Sequence, residues 1–207
     1  MVFCEIKEFD DKIEGGIKFK NGIELYWGQV TINTYLQGYT EYNERNDDVV
    51  NRVYYDQNLN KRYKTQSTWL ELNANNGVFE CTHTVEHLIR RALPFVIPCD
   101  PYDIGGHTQE IKKNDTVRLW IYDTIKGGIG ISYRLKNVLG DVLETGCKIA
   151  SSCRKCKNGC PLCIQIKRCL LGNEKLDKKG GLTLAKQIID ASKGKIKHLN
   201  IEKYKWE

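Results

Sequence analysis

Apolar residues return at every second position along several stretches of the first 80 residues, which predicts mainly β-structure there. Ile23–Asn33 sets Leu25, Trp27, Val30 and Ile32 between polar neighbours, with Gly22 and Gly28 as punctuation. Thr34–Tyr42 continues in the same style, and Val49–Tyr55 supplies a further strand after the polar turn Asn43–Asp48. Thr68–Leu72 is another short strand, followed by a loop at Asn73–Gly77.

The period then changes to that of a helix. Val85, Leu88, Ile89, Ala92, Leu93 and Val96 make an apolar stripe over His83–Phe95, with Pro94 and Pro98 placed to end it. After the turn-rich Cys99–Gly106, Val117–Tyr122 is a strand with Val117, Leu119 and Ile121 on one face. It enters a loop, Asp123–Gly130, and then a helix near Ser132–Cys147 carrying Leu135, Val138, Leu139, Val142 and Leu143. A last helix is expected near Gly181–Ser192, and the tail Lys195–Glu207 reads as an edge strand. The expected fold is α+β. A β-rich part, residues 1–79, packs on a mixed helical part, residues 80–207, stapled by a cysteine loop.

With 207 residues, 41% apolar and 28% charged, the chain is of ordinary globular composition and long enough to bury a core. No apolar run approaches the roughly 18–20 residues of a membrane span. The start, MVFCEIKEFDD, lacks the apolar region of a secretory signal, so a cytoplasmic protein with no membrane partner is expected. Net charge is +6, divided unevenly: 11 Lys/Arg face 17 Asp/Glu in residues 1–110, and 21 face 9 in residues 111–207. So basic a second half suits a polyanion or a solubilising surface.

Nine cysteines, five of them at 153, 156, 160, 163 and 169, point to metal rather than to disulfides. Cys160–Pro161–Leu162–Cys163 is a tight-turn ligand pair, and Cys156 and Cys169 complete a tetrahedral four-thiolate zinc site. Cys153 is then a spare or replaces Cys156. Such a site has no open position and is structural; a redox pair or an iron–sulfur cluster is the rival reading. Arg154, Lys155, Lys157, Lys167 and Arg168 offset the thiolates and are placed to meet phosphates.

Two other motifs carry possible chemistry. His83-x-x-Glu86-His87 matches the inverted zinc-peptidase signature, a second metal site with Glu86 as base, but no third ligand has supporting context. The alternative is a histidine pair packed on the β-rich part or bonded to the turn at Asp100–Asp103. Asp123–Gly130 with Lys126 has the strand–loop–helix layout that cradles an anion, or is simply a tight turn. No G-x-x-x-x-G-K-[ST] occurs, so no nucleotide-driven motor and no enzyme activity are expected.

Fragments in fixed order complete the picture. They are Thr68–Leu72, His83-x-x-Glu86-His87, Cys99-Asp100-x-x-Asp103-Ile104-Gly105-Gly106, and Ile121–Asp123 with Gly127-Gly128-x-Gly130. Gly159-Cys160-Pro161-x-Cys163 through Cys169 to Gly172–Lys178 follows. Together, over about residues 25–190, the chain resembles the carboxy-terminal zinc-binding domain of mitomycin repair factor A-type superfamily-2 helicases. The resemblance implies one structural zinc ion on Cys156, Cys160, Cys163 and Cys169, with Cys153 offset by one residue from the family's extra cysteine. It implies an accessory role beside a helicase motor, in the same or a separate chain, in DNA repair or genome defence. Single-stranded DNA is the expected partner, with Trp120 or Tyr122 either stacking on bases or packing within their strand, and a protein-docking module of an anti-phage complex is the alternative. It also weakens the peptidase reading.

Overall fold

A single antiparallel sheet runs through both predicted parts of the chain. The computed structural model describes residues 2–19, 21–43, 45–46, 48–74, 78–193 and 197–198, with backbone alone at 2–6 and 197–198. In chain order come β1 (Val2–Lys18), β2 (Glu24–Tyr42), β3 (Val49–Asn73), α1 (Val78–Val96), β4 (Ile104–Ile111) and β5 (Thr116–Asp123). Then follow α2 (Ile131–Ser152), α3 (Lys178–Ser192) and the two-residue β6 (Lys197–His198). The strand order is β4-β5-β3-β2-β1-β6, so β4 and β5 extend the sheet that β1–β3 begin. The α+β expectation holds.

Each sheet face has its own core. Leu25, Leu70, Leu72, Leu119 and Ile121 face the three helices and join Val85, Leu88, Ile89, Leu93, Leu139, Leu143 and Ile188. The stripe predicted on α1 is buried there from Val85 to Leu93, with Val96 partly buried. The opposite face is aromatic: Tyr26, Trp69, Trp120 and Tyr122 with Val30 and Ile32. The long strands coil, as twisted sheets must, until Phe9 of β1 stacks on Trp120 at 5.0 Å and on His107 at 5.3 Å. Arg118 ties the same layers together, bonding Glu71 at 2.7 Å and Asp11 at 3.3 Å. Trp120 and Tyr122 are thus 1% and 2% exposed, so of their two readings strand packing holds and base stacking does not.

Four elements differ from the pattern-based expectation, among them β4, a strand that begins inside the predicted turn-rich Cys99–Gly106. β1 was not expected, because a bulge between Ile13 and Gly15 breaks its alternation. Phe9 and Ile13 turn to the aromatic face, whereas Ile17, past the bulge, packs with the helices. The predicted strands Val49–Tyr55 and Thr68–Leu72 are the ends of one strand, β3, whose polar middle is exposed on both sides and so shows no apolar period. Helix α1 passes through Pro94 and ends two residues later, ahead of Pro98. The predicted turn at 43–48 and loop at 73–77 each include positions outside the described residues. Of the tail strand Lys195–Glu207, Lys197 and His198 pair with β1, and the rest lies outside the described residues. Among the described residues no helix is long and apolar enough to cross a membrane.

Candidate metal centre

Helix α2 ends where the chain must leave its last turn, and Cys153 there is extended, with φ −81° and ψ 108°. The chain from 153 to 177 has no helix or strand and is held by side chains instead. Its tightest piece is a turn after Cys160, whose carbonyl accepts from the backbone N–H groups of Cys163, Ile164 and Gln165 at 3.0–3.1 Å. That turn folds Cys160 and Cys163 toward one point.

Four sulfurs meet there. The Sγ–Sγ separations are 3.9 Å for Cys153–Cys156, 3.7 Å for Cys153–Cys160, 3.3 Å for Cys156–Cys163 and 3.6 Å for Cys160–Cys163. A tetrahedral ion with Zn–S bonds of about 2.3 Å sets the sulfurs about 3.8 Å apart, so the cluster fits one structural zinc. The eight cysteines whose side chains are described are all free thiols, in keeping with a metal rather than a disulfide framework. Burial pushes the Cys163 thiol up to about 12, helped by hydrogen bonds to the neighbouring sulfurs, so a bound ion must displace its proton. Lys178, at the start of α3, donates to the Cys153 carbonyl at 2.7 Å and to Cys156 Sγ at 3.5 Å. It is 8% exposed and supplies a positive charge that a four-thiolate centre needs.

The ligand set expected from spacing changes in one member. Cys153 stands in the cluster, and Cys169 lies apart from it, with Sγ 3.4 Å from His83 Nε2. The intervening loop explains the switch. Asn173 clamps Ile166 from both sides, accepting from its N–H at 2.9 Å and donating to its carbonyl at 3.1 Å. Arg168, Asn173 and Lys175 take left-handed φ values of 59°, 65° and 51°, turning the chain back onto α1. Backbone of this kind costs on the order of 1 kcal/mol per residue and needs partners to hold it.

Those partners line one face of α1. His83, His87 and Arg91, spaced one turn apart, all bond carbonyls of the cysteine loop. His83 Nδ1 bonds Lys175 O at 3.1 Å and His87 Nδ1 bonds Ile164 O at 3.2 Å. Arg91 donates to Gln165 O at 3.3 Å and to Leu162 O at 3.1 Å. The hydrogen bonds of both histidines therefore go to the cysteine loop and not to the turn at 100–103. An i, i+4, i+8 row of donors is a legible signal in the sequence, but only once the loop opposite is known.

Glu86 turns elsewhere. Its carboxylate accepts from Thr108 Oγ1 at 2.8 Å and pairs with Arg90 at 3.2 Å. Burial opposes its ionisation, yet Arg90 and the two histidines hold its pKa below the ordinary carboxylate value. A Cβ on Gly106 would sit 2.6 Å from that carboxylate, which accounts for the second glycine of the Ile104–Gly106 motif. The grouping His83, Glu86 and His87 is thus replaced by His83, His87 and Cys169, and the general base of the peptidase reading is engaged in the core. At Cys169, burial works against the thiolate, but the hydrogen bond from His83 and the neighbouring His87 imidazole outweigh it and bring the thiol down to about 6.

The glycine-rich loop binds an anion of its own making. Asp123, fully buried, accepts from the N–H groups of Ile129 at 2.6 Å, Gly130 at 2.8 Å and Ser132 at 2.8 Å. Gly130, at φ 86°, lets the chain turn into α2 around that carboxylate. The place where a phosphate would sit is occupied by a side chain, and Lys126 lies outside on the exposed turn. Arg154, Lys155, Lys157, Lys167 and Arg168 are all exposed around the cysteine loop, and Arg168 lies 4.6 Å over the ring of Tyr102.

Comparison with known proteins agrees with this geometry. A family model described as the MrfA Zn-binding domain matches residues 85–164, a span that includes Cys153, Cys156, Cys160 and Cys163 and stops short of Cys169. An uncharacterized protein of Methanocaldococcus jannaschii is 31% identical over 111 residues, 52% of this chain and 98% of its own length. Among solved structures, the DUF1998 helicase MrfA bound to DNA superposes with a TM-score of 0.66 at 19% identity, over 89% of this chain and 25% of that one. A second structure of the DUF1998 helicase MrfA gives 0.54 at 20% identity, over 84% and 22%. The chain spans about a quarter of the length of those helicase chains, and the likeness to them is one of fold.

Proposed function

The chain belongs to the MrfA Zn-binding domain family, and from that premise we propose that it is a helicase-associated domain whose cysteine loop grips the phosphate backbone of single-stranded DNA. In this reading Cys153, Cys156, Cys160 and Cys163 hold the zinc, and the motor is supplied by other residues or another chain. The zinc does no chemistry on a substrate. It stiffens a loop that has no regular structure, so that its cations stay in place.

The observation that carries the reading is the placement of five exposed cations on that loop. None of Arg154, Lys155, Lys157, Lys167 and Arg168 forms an ion pair among the described residues, so their charge is available to an outside anion. Phosphate contacts of this kind need no sequence information and respond steeply to salt. The DNA-bound state of the related helicase supports the choice of ligand.

The test is fluorescence polarisation with a labelled oligonucleotide across a salt series. Binding should weaken with salt, and Lys155→Ala with Lys157→Ala should lower the log–log slope by about 1.4, at roughly 0.7 per phosphate contact on a single strand. Binding that ignores salt, or no binding with zinc in place, would sink the proposal.

One observation favours a second reading, docking on the motor. Leu162, whose carbonyl Arg91 holds, is 67% exposed, and Phe95, one turn along α1 from Arg91, is 74% exposed. Apolar side chains this open beside a rigid loop suit a protein surface. If Phe95→Ser with Leu162→Ser abolishes helicase binding while DNA affinity is unchanged, the docking role stands on its own.

A further inference from the structure

His83, His87 and Cys169 form a cluster that neither the zinc-stapled loop nor the DNA reading uses. Both imidazoles are buried, at 2% and 0% exposure. In each, Nδ1 is committed to a backbone carbonyl, Lys175 O or Ile164 O, so Nε2 is the remaining ring nitrogen. A backbone partner on one nitrogen is how metal-binding histidines fix the tautomer that frees the other. His87 Nε2 has no hydrogen-bond partner among the described residues, although it is fully buried. An orphaned buried nitrogen loses its hydration without compensation and calls for an occupant.

The three atoms lie where an occupant could reach them all. His83 Nε2 is 3.4 Å from Cys169 Sγ, and the three candidate donor atoms are within 4.8 Å of one another. Metal bonds of about 2.0–2.1 Å to nitrogen and 2.3 Å to sulfur place tetrahedral N and S ligands about 3.6 Å apart. A simple His83–Cys169 hydrogen bond satisfies two of the atoms and leaves His87 Nε2 orphaned, whereas a cation satisfies all three.

We propose that His83 Nε2, His87 Nε2 and Cys169 Sγ form a second metal site, for Zn2+ or a similar borderline-soft divalent ion, separate from the four-thiol centre. The mixed nitrogen and sulfur donors exclude Ca2+ and Mg2+, which take oxygen. Among the described residues no fourth His, Cys, Asp or Glu joins the group, so one position is open to an exogenous ligand. Glu86, bonded to Thr108 and Arg90, is not placed to serve as its base. The site clips α1 to the far end of the cysteine loop. Its sister clip is close in sequence, since the carbonyl holding His87 belongs to Ile164, the residue after Cys163.

The whole chain, stripped of metal under reducing conditions and titrated with Co2+, tests this directly. Two equivalents should bind, one giving the intense sulfur-to-cobalt absorption of four thiolates and one the weaker band of a single thiolate. Elemental analysis of the zinc form should give two ions per chain. His87→Gln and Cys169→Ser should each bring that to one and erase only the weaker band. Cys160→Ser with Cys163→Ser should erase the intense band. A wild-type chain that takes one equivalent, with a spectrum unchanged in Cys169→Ser, would overturn the second site and leave the four-thiol centre intact. The wild-type titration needs no variant to fold.

Discussion

The two ends of α2 face the same problem and solve it differently. At the amino end, three backbone N–H groups converge, and Asp123 of the adjoining strand answers them from within the protein. At the carboxy end the chain passes through Cys153 into 24 residues without helix or strand, and what gathers them is four thiols around a point that the protein alone does not fill. The first end is complete when folding is complete. The second depends on an ion, and its surface cations form no ion pair among the described residues. A glycine-rich loop after a strand is thus no sign of a ligand unless its donors are free, and here they are not.

Removing metal should separate the two ends most sharply. A structural zinc contributes binding free energy on the order of 10 kcal/mol. A chelator should therefore open trypsin cleavage between Arg154 and Arg168, mapped by mass spectrometry, while bonds around Lys126 stay protected. Cleavage appearing first at Lys126 would show the amino end to be the weaker.

Next in size is Asp123→Ala, which strands three backbone donors, the one of Ser132 buried and the other two partly so. We expect a loss of about 3 kcal/mol, read as a shift of the denaturant midpoint, and of the same size with or without chelator. A loss that vanishes in the chelated protein would mean that the two ends are not independent.

Acid should expose a third contribution belonging to neither end. Burial holds His107 down to about 4, so the unfolded chain takes up its proton first as pH falls. Stability from this residue is complete above about 6.5 and is lost between there and pH 4, at most roughly 3 kcal/mol. His107→Phe, which keeps the stack on Phe9, should flatten stability over that window and leave the pH of metal release unchanged. An unaltered acid slope in the variant refutes the assignment.

Smallest is Arg91→Ala, which removes the donors to Gln165 O and Leu162 O. About 1–2 kcal/mol should go, with faster amide exchange in the cysteine loop and none at residues 123–132. Equal changes at both ends would show that the loop is not docked through Arg91.

Much of the architecture was legible beforehand. The helical stripe from Val85 to Val96, the one-sided strand Val117–Tyr122 and the cysteine loop were all readable from residue types and spacing, because each is set by local period or ligand chemistry. β1 was not, since its bulge moves Ile17 to the other face from Phe9 and destroys the alternation a reader counts. The exposed middle of β3 was hidden for the opposite reason: with no buried side it has no period. Trp120 and Tyr122 stayed open between stacking on bases and packing in the strand because nothing local shows that β1 coils over them.

The sequence by itself determined that this chain has a four-thiol zinc centre between residues 153 and 169, with cations around it, because cysteine spacing and charge are local properties. Only the tertiary structure brings Cys153, Cys156, Cys160 and Cys163 to one point and sets Cys169 apart. Five thiols within 17 positions are all near enough to meet, and spacing limits reach without stating direction. The left-handed turn at Arg168 and the carbonyls held by His83 and His87 carry Cys169 to α1, and Cys153, at the end of α2, takes the place it leaves.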